Sequence, residues 1–469
     1  MNRVGLKMIQ VWASYGPRFL PFADVATKEL PLSRLLRLSL FQVTVGMALV
    51  LLVGTLNRVM IVELDVPASL VGIMISLPLL FAPFRALIGF KSDIHESALG
   101  WRRVPFIFRG TMIQFGGLAI MPFALLVLSG GGESARYPVW VGQFGAGIAF
   151  LLVGAGLHTV QTIGLALATD LAPTESQPKV VGLMYVMLLL GMIVSAVTFG
   201  AALADFTPLR LIQVIQACAV ITLVFNSIAA WKQEGRHAAR RNPAKQKPTF
   251  SESWESFAAG GNAVRRLVSV GLGTMGFSMA DVLLEPYGGQ ILHLSVGATT
   301  SLTATLAAGG LIGLALASRV LSRGADPFRM ASYGALAGIP AFVLVISSAS
   351  FNEPLHFALG TLMVGFGAGL FGHGTLTATM NLAPRSQVGL ALGAWGASQA
   401  VAAGLAIAIG GVLRDLVSNL PLQGNFGPST GYMCVYALEI ILLIATLTVM
   451  APLIGPNRAS SMLRDEAAP

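Results

Sequence analysis

The densest group of residues able to do chemistry lies inside an apolar run. Met279-Ala280-Asp281-Val282-Leu283-Leu284-Glu285-Pro286-Tyr287-Gly288-Gly289-Gln290 places carboxylates at Asp281 and Glu285, an i, i+4 pair. That spacing puts both on one face of a helix. Pro286 and the following glycine pair interrupt the regular helix, which frees backbone groups to line a cavity. Ionisable side chains at membrane depth are costly and mark functional positions. The pair, with Tyr287 beside it, reads as a proton or cation site, or as a polar contact for a large amphiphile. A structural pair salt-bridged to Arg58 or Arg85 is the alternative.

Other polar groups in apolar runs are sparse. Asn57, Arg58 and Glu63 lie near the outer end of the first run, and Arg58 is a candidate partner for Asp281 or Glu285. Arg85 is close enough to a run's end for its head group to reach water. His158 and His373 each sit in a Gly-rich run. A neutral imidazole can be an axial ligand for a metal or for the Mg of a chlorin; a hydrogen bond to a neighbouring helix is the plainer reading. Glu439 reads as an interhelical hydrogen-bonding group. The sequence has no Gly-x-x-x-x-Gly-Lys-Ser/Thr loop for nucleotide phosphates, no Cys/His cluster with metal spacing and no serine nucleophile elbow. The expectation is a non-enzyme without nucleotide or metal.

What positions these residues is a membrane. Of 469 residues, 55% are hydrophobic and 11% charged, whereas soluble domains carry about 25% charged residues. A water-soluble enzyme is excluded, because the charge needed to cover it is missing. A helix needs ~20 apolar residues to span a bilayer. Twelve runs qualify, at about 36–62, 67–90, 105–128, 139–167, 179–203, 208–231, 264–291, 296–318, 329–348, 355–381, 388–413 and 431–454. Lipid cannot satisfy backbone donors, so the runs are helices.

Lys and Arg cluster before the first run, between the second and third, and in the stretch after the sixth, which holds Lys232, Arg236, Arg240, Arg241, Lys245 and Lys247. By the positive-inside rule both termini are cytoplasmic. The net charge of +9 follows from these loops and needs no nucleic-acid partner. Cys218 and Cys434, both in apolar runs, read as buried thiols.

Residues 232–263 form the long internal polar stretch and divide the chain. The expected organisation is a cytoplasmic segment 1–34, a six-helix bundle 35–231, a basic linker 232–263, a second six-helix bundle 264–454 and a cytoplasmic tail 455–469. The halves echo one another: Ala168-Thr169-Asp170-Leu171-Ala172-Pro173 ends the fourth run, and Ala378-Thr379-Met380-Asn381-Leu382-Ala383-Pro384 ends the tenth. This arrangement resembles the major facilitator superfamily, whose halves are repeats about an axis along the membrane normal. Gly89, Asp93, Arg102 and Arg103 resemble that superfamily's gating loop, with a longer stretch between Asp93 and Arg102 than usual. Asp326 and Arg329 are the counterpart in the second half. The fold class expected is therefore an all-α, polytopic, major-facilitator-like membrane protein of twelve helices.

A closer resemblance rests on longer motifs. Leu56-Asn57-Arg58-Val59-Met60-Ile61-Val62-Glu63-Leu64, the run Pro78 to Gly89, and Asp281 to Gln290 are similar to signatures of the PucC/LhaA family. That group is the bacteriochlorophyll-delivery branch of the superfamily in purple phototrophic bacteria. The resemblance implies a chaperone-like assembly factor for light-harvesting antenna complexes, LH1 or LH2, in photosynthesis. Implied partners are antenna α/β polypeptides, LH1–reaction centre or LH2 assemblies, and bacteriochlorophyll or its synthesis machinery, with bacteriochlorophyll as a transient cofactor. The implied location is the bacterial inner membrane and its chromatophore extensions. Small-residue patches at Gly145–Gly156, Gly309–Gly313 and Gly404–Gly411 would let a partner helix or flat macrocycle approach closely; internal packing is the alternative. The other function weighed is a proton-coupled secondary transporter of a small amphiphile or pigment precursor.

Overall fold

The computed structural model describes residues 30–80, 88, 91–92, 101–130, 132–173, 176–234, 262–351, 353–382, 388–420 and 427–454. Arg85, Gly89, Asp93, most of the basic linker and both terminal segments lie outside the described residues.

The helices follow the apolar runs closely. They are α1 Leu32–Glu63, α2 Ala68–Leu80, α3 Val104–Leu128, α4 Val139–Leu171, α5 Gln177–Ala202 and α6 Pro208–Ala230. The seventh run forms two helices, α7 Ala263–Ser278 and α8 Ala280–Gln290. Then come α9 Val296–Leu321, α10 Pro327–Phe351, α11 Pro354–Leu382, α12 Val388–Ser418 and α13 Thr430–Met450. Among the described residues, 11 helical stretches are long and apolar enough to cross a membrane, α7 and α8 together counting as one. The second run contributes α2, described as helix to Leu80. α1 carries a departure that hydropathy does not announce: it widens into π-helical turns at Val50–Leu56 and Val59–Glu63, with Asn57 and Arg58 between them. Such turns recur at functional sites.

By packing, the chain divides into two units. One comprises Met1–Leu56, Pro83–Arg241 and Val296–Ala304; the other comprises Asn57–Ala82, Asn242–Ser295 and Thr305–Pro469.

In the first unit, close helix approach depends on missing side chains. A Cβ at Gly46 would stand 2.5 Å from the Leu188 carbonyl, and one at Gly156 would stand 2.5 Å from that of Gly110. Gly164 leaves room for the Phe41 ring. A buried polar relay ties three helices: Thr44 Oγ1 donates to Asn226 Oδ1 at 2.7 Å, and Asn226 Nδ2 donates to Thr111 Oγ1 at 3.0 Å. At the basic end, Glu234 accepts from the amides of Arg102, Arg103 and Val104 at 2.9–3.0 Å. It thereby satisfies the orphan donors at the start of α3. Arg102 and Arg103 both pair with Asp170, at 2.8 and 3.1 Å.

The second unit is seamed in the same way. Gly313 of α9 would place a Cβ 3.1 Å from Leu370 N of α11, and Gly334 of α10 one 2.5 Å from Gly367 O. Gly72 and Gly411 bring α2 and α12 together, and Gly410 lies against Met279. Gly145 and Gly156, Gly309 and Gly313, and Gly410 and Gly411 are thus occupied by the protein's own helices. Of the two readings of these patches, close approach of a partner or internal packing, the contacts at those glycines are internal packing. Without a hydrophobic drive between helices in lipid, backbone approach is what holds such a bundle together.

Candidate functional site

The acidic pair stands on a short helix held at both ends and at one point between. Its N-terminal end begins where the seventh span breaks, after Ser278. A continuous helix would send the Ala280 amide to the carbonyl four residues back. Here it donates to Glu439 Oε1 of α13 at 2.7 Å. α13 reaches this close because Gly276 has no side chain: a Cβ there would lie 2.9 Å from Leu443 Cδ2. Leu443 and Glu439, one turn apart on α13, thus meet Gly276 and Ala280, one turn apart on the seventh span.

The second point follows from Pro286. Proline has no amide hydrogen, so its presence removes the helical bond to the carbonyl four residues earlier, that of Val282. Asn57 Nδ2 donates to that carbonyl at 2.8 Å. The third point is the C-terminal end. His293 adopts a left-handed conformation with φ 53°, and the Leu294 amide bonds the Gly288 carbonyl at 3.0 Å. Both are features of a helix stop. Arg58 Nη2 donates to the Leu294 carbonyl at 3.1 Å, and a cation is favourable at a helix C-terminus. Arg58 lies across Gly289, where a Cβ would come 3.1 Å from its Nε and Nη2. Its Nη1 is paired with Glu63.

Asn57, Arg58, Glu63, Asp281 and Glu285 are thereby brought into one unit. Asp281 and Glu285 share the helix face, Asp281 partly buried and Glu285 4% exposed. Arg58 pairs with Glu63 and with the end of α8. Glu63 is five residues away on the same chain segment, and the π-helical turn between them brings the two side chains together.

Tyr287 is wholly buried, with its ring centroid 5.4 Å from those of Phe357 and Tyr432 and 5.6 Å from that of Tyr436. Its hydroxyl donates to the Val345 carbonyl at 3.1 Å. That placement makes it part of the helix-packing core, not a free polar contact.

A second polar node closes the far end of this helix. Gln290 Oε1 accepts from Tyr432 at 2.7 Å and from Arg414 Nη2 at 2.5 Å. Arg414 also pairs with Asp415 at 2.8 Å. Asp415 Oδ2 in turn accepts from the Ser69 amide at 2.7 Å, satisfying an orphan donor at the start of α2.

His158 lies in α4 of the first unit and His373 in α11 of the second, each partly buried. Of the gating residues, Arg102 and Arg103 form the Asp170 pairs described above. Asp326 accepts from the Phe328 and Arg329 amides at 2.8 and 3.2 Å, so it caps α10.

Sequence reasoning gave no site role to Gln290, Asp415, Asp170 or Glu234, and read Glu439 as an interhelical hydrogen-bonding group, which its bond to the Ala280 amide is. One signal was available for Glu439, since Tyr432, Tyr436 and Glu439 recur at i, i+4 and i+7, a single polar stripe on an otherwise apolar helix.

The helices and their connectivity define a multi-pass membrane protein of the major-facilitator type. The crystal structure of a D-xylose-proton symporter superposes with a TM-score of 0.67 at 13% identity, covering 88% of this chain and 96% of that one. The profile of the family described as PUCC protein matches residues 55–458, and the chain belongs to that family. Protein PucC of Rhodovulum sulfidophilum is 65% identical over 420 residues, 89% of this chain and 92% of its own length. Protein PucC of Cereibacter sphaeroides is 59% identical over 463 residues, 99% and 100% of the two chains.

Proposed function

We propose that this protein is an assembly factor for bacterial light-harvesting antenna complexes, LH1, LH2 or both. It engages nascent antenna α/β polypeptides and holds or delivers bacteriochlorophyll while they oligomerise. The observation that carries this reading is the near-full-length identity to proteins named PucC, which extends through the anchored helix 280–290. In this reading the Asp281–Glu285 face makes the polar contact to the cargo, and His158 and His373 are candidate magnesium ligands. The site of action is the cytoplasmic membrane and its chromatophore extensions, with both termini cytoplasmic.

The test is a deletion strain grown phototrophically, with pull-down of the tagged protein in mild detergent from the complemented strain. Antenna complexes fall in the deletion while pigment synthesis continues. The tagged protein carries antenna polypeptides and a near-infrared pigment band, both reduced in Asp281→Asn and His373→Ala. Normal antenna in the deletion ends this reading.

The symporter-like fold and broken seventh span favour a second reading, proton-coupled movement of a small amphiphile. A colourless, partnerless protein whose proteoliposomes take up such a solute, with uptake lost in Asp281→Asn, would establish it.

A further inference from the structure

We propose that Glu439 is a positioning residue, whose carboxylate anchors the start of helix 280–290 and so fixes where Asp281 and Glu285 stand. The functional part of this inference rests on the antenna-assembly reading; the anchoring itself does not.

Glu439 is 0% exposed, inside a membrane-spanning helix. Burying a carboxyl is costly unless it is hydrogen-bonded, and an apolar residue would cost less at this depth. One of its oxygens accepts the Ala280 amide; the other, like the nearby Tyr436 hydroxyl, has no hydrogen-bond partner among the described residues. The group is therefore not one member of a fully satisfied network, and the bond it makes is to backbone at the one interruption in the span. That bond occupies a donor which the break would otherwise leave orphaned.

The break is coupled to the acidic face by sequence proximity. Ala280 is the residue before Asp281, and Glu285 follows one turn later on the same short helix. Asn57 holds the middle of that helix, and Arg58, Tyr287 and Gln290 hold its C-terminal half, so Glu439 supplies the point at its start. Without that point the first turn can pivot about the held C-terminal half, and Asp281 moves with it.

What position 439 must offer is an acceptor oxygen, not a charge. Glutamine keeps the acceptor; leucine and methionine remove it while suiting the lipid-embedded interior better. Exchange of backbone amides in the purified full-length protein reads the anchor directly. In Glu439→Leu the segment around Ala280 exchanges faster by on the order of tenfold, the loss expected for one buried hydrogen bond. Glu439→Gln stays near wild type. In the complemented deletion strain, Glu439→Gln restores antenna and Glu439→Leu does not, although the Leu variant accumulates in the membrane. Should Leu fail to accumulate, Glu439→Met removes the same acceptor with an unbranched chain.

Unchanged exchange in the apolar variants overturns the anchor. Faster exchange with full antenna overturns the positioning role, and so does a Gln variant that fails like Leu. Normal antenna in the deletion itself would remove the assembly reading alone, leaving the exchange result to judge the anchor.

Discussion

Gly289 is where a single atom decides whether Arg58 can reach the end of helix α8. A methyl group there would stand 3.1 Å from two guanidinium nitrogens, and Arg58 is 4% exposed, with little room to move. Gly289→Ala is therefore expected to destabilise the protein by about 1–3 kcal/mol, the usual cost of overpacking. Gly116→Ala is the control: a Cβ there would meet no atom within 4 Å, and alanine gains about 0.5–1 kcal/mol over glycine in a helix interior. Thermal unfolding in one detergent should lower the midpoint for the first and hold or raise it for the second. Equal midpoints would mean that Arg58 is not fixed by the glycine. At this scale the sequence displayed the right residue types but not their partners. Asn57 and Arg58 stood out as polar groups in lipid, yet the bonds by which they hold α8 are to backbone carbonyls, and a carbonyl orphaned by Pro286 has no letter of its own. Glu439 was visible and its partner was not, for the same reason.

The pairing of Asn57 with Pro286 is a property of two elements, and it makes a sharper prediction than either residue alone. If Asn57 is there to satisfy the Val282 carbonyl, then Asn57→Leu leaves a buried acceptor unpaired, at a cost of about 1–3 kcal/mol. Pro286→Ala restores the amide that a helix would normally supply to the same carbonyl. The double variant should therefore be more stable than Asn57→Leu alone, with a coupling of about 1 kcal/mol or more in a double-mutant cycle. Additive losses would show that the asparagine serves something else. Much of the element scale was legible. The apolar runs mark the helices to within a few residues, and Pro286 with its glycines marked the seventh span as irregular. The interruption itself falls earlier, after Ser278, where the Ala280 amide bonds Glu439 of another helix. The π-helical turns of α1 were also hidden, since Val, Leu and Gly there suit an ordinary helix equally well.

At the scale of the whole molecule, hydropathy ranks segments by their fitness for lipid but says nothing about which helix each will meet. The basic stretch 232–263 suggests two halves of six helices. Packing places Asn57–Ala82 in the same unit as most of the second half, because α2 lies against α12 at Gly72 and Gly411 and Asn57 and Arg58 hold helix α8. A fragment beginning at residue 262 therefore lacks part of its own packing unit. Its Val282 carbonyl loses its donor, the Asp415 carboxylate loses the Ser69 amide, and the small-residue surface of α12 faces lipid with no backbone against it. Such a fragment is expected to be degraded when made alone and to accumulate when residues 1–261 are made in the same cell. Immunoblots of membranes from cells expressing either fragment or both decide the matter. A second fragment that is equally abundant without the first would show that residues 57–82 are dispensable to its fold. Adding only residues 57–82, fused ahead of residue 262 through a flexible linker, should restore part of the accumulation, because it returns the Asn57, Arg58 and Ser69 bonds together.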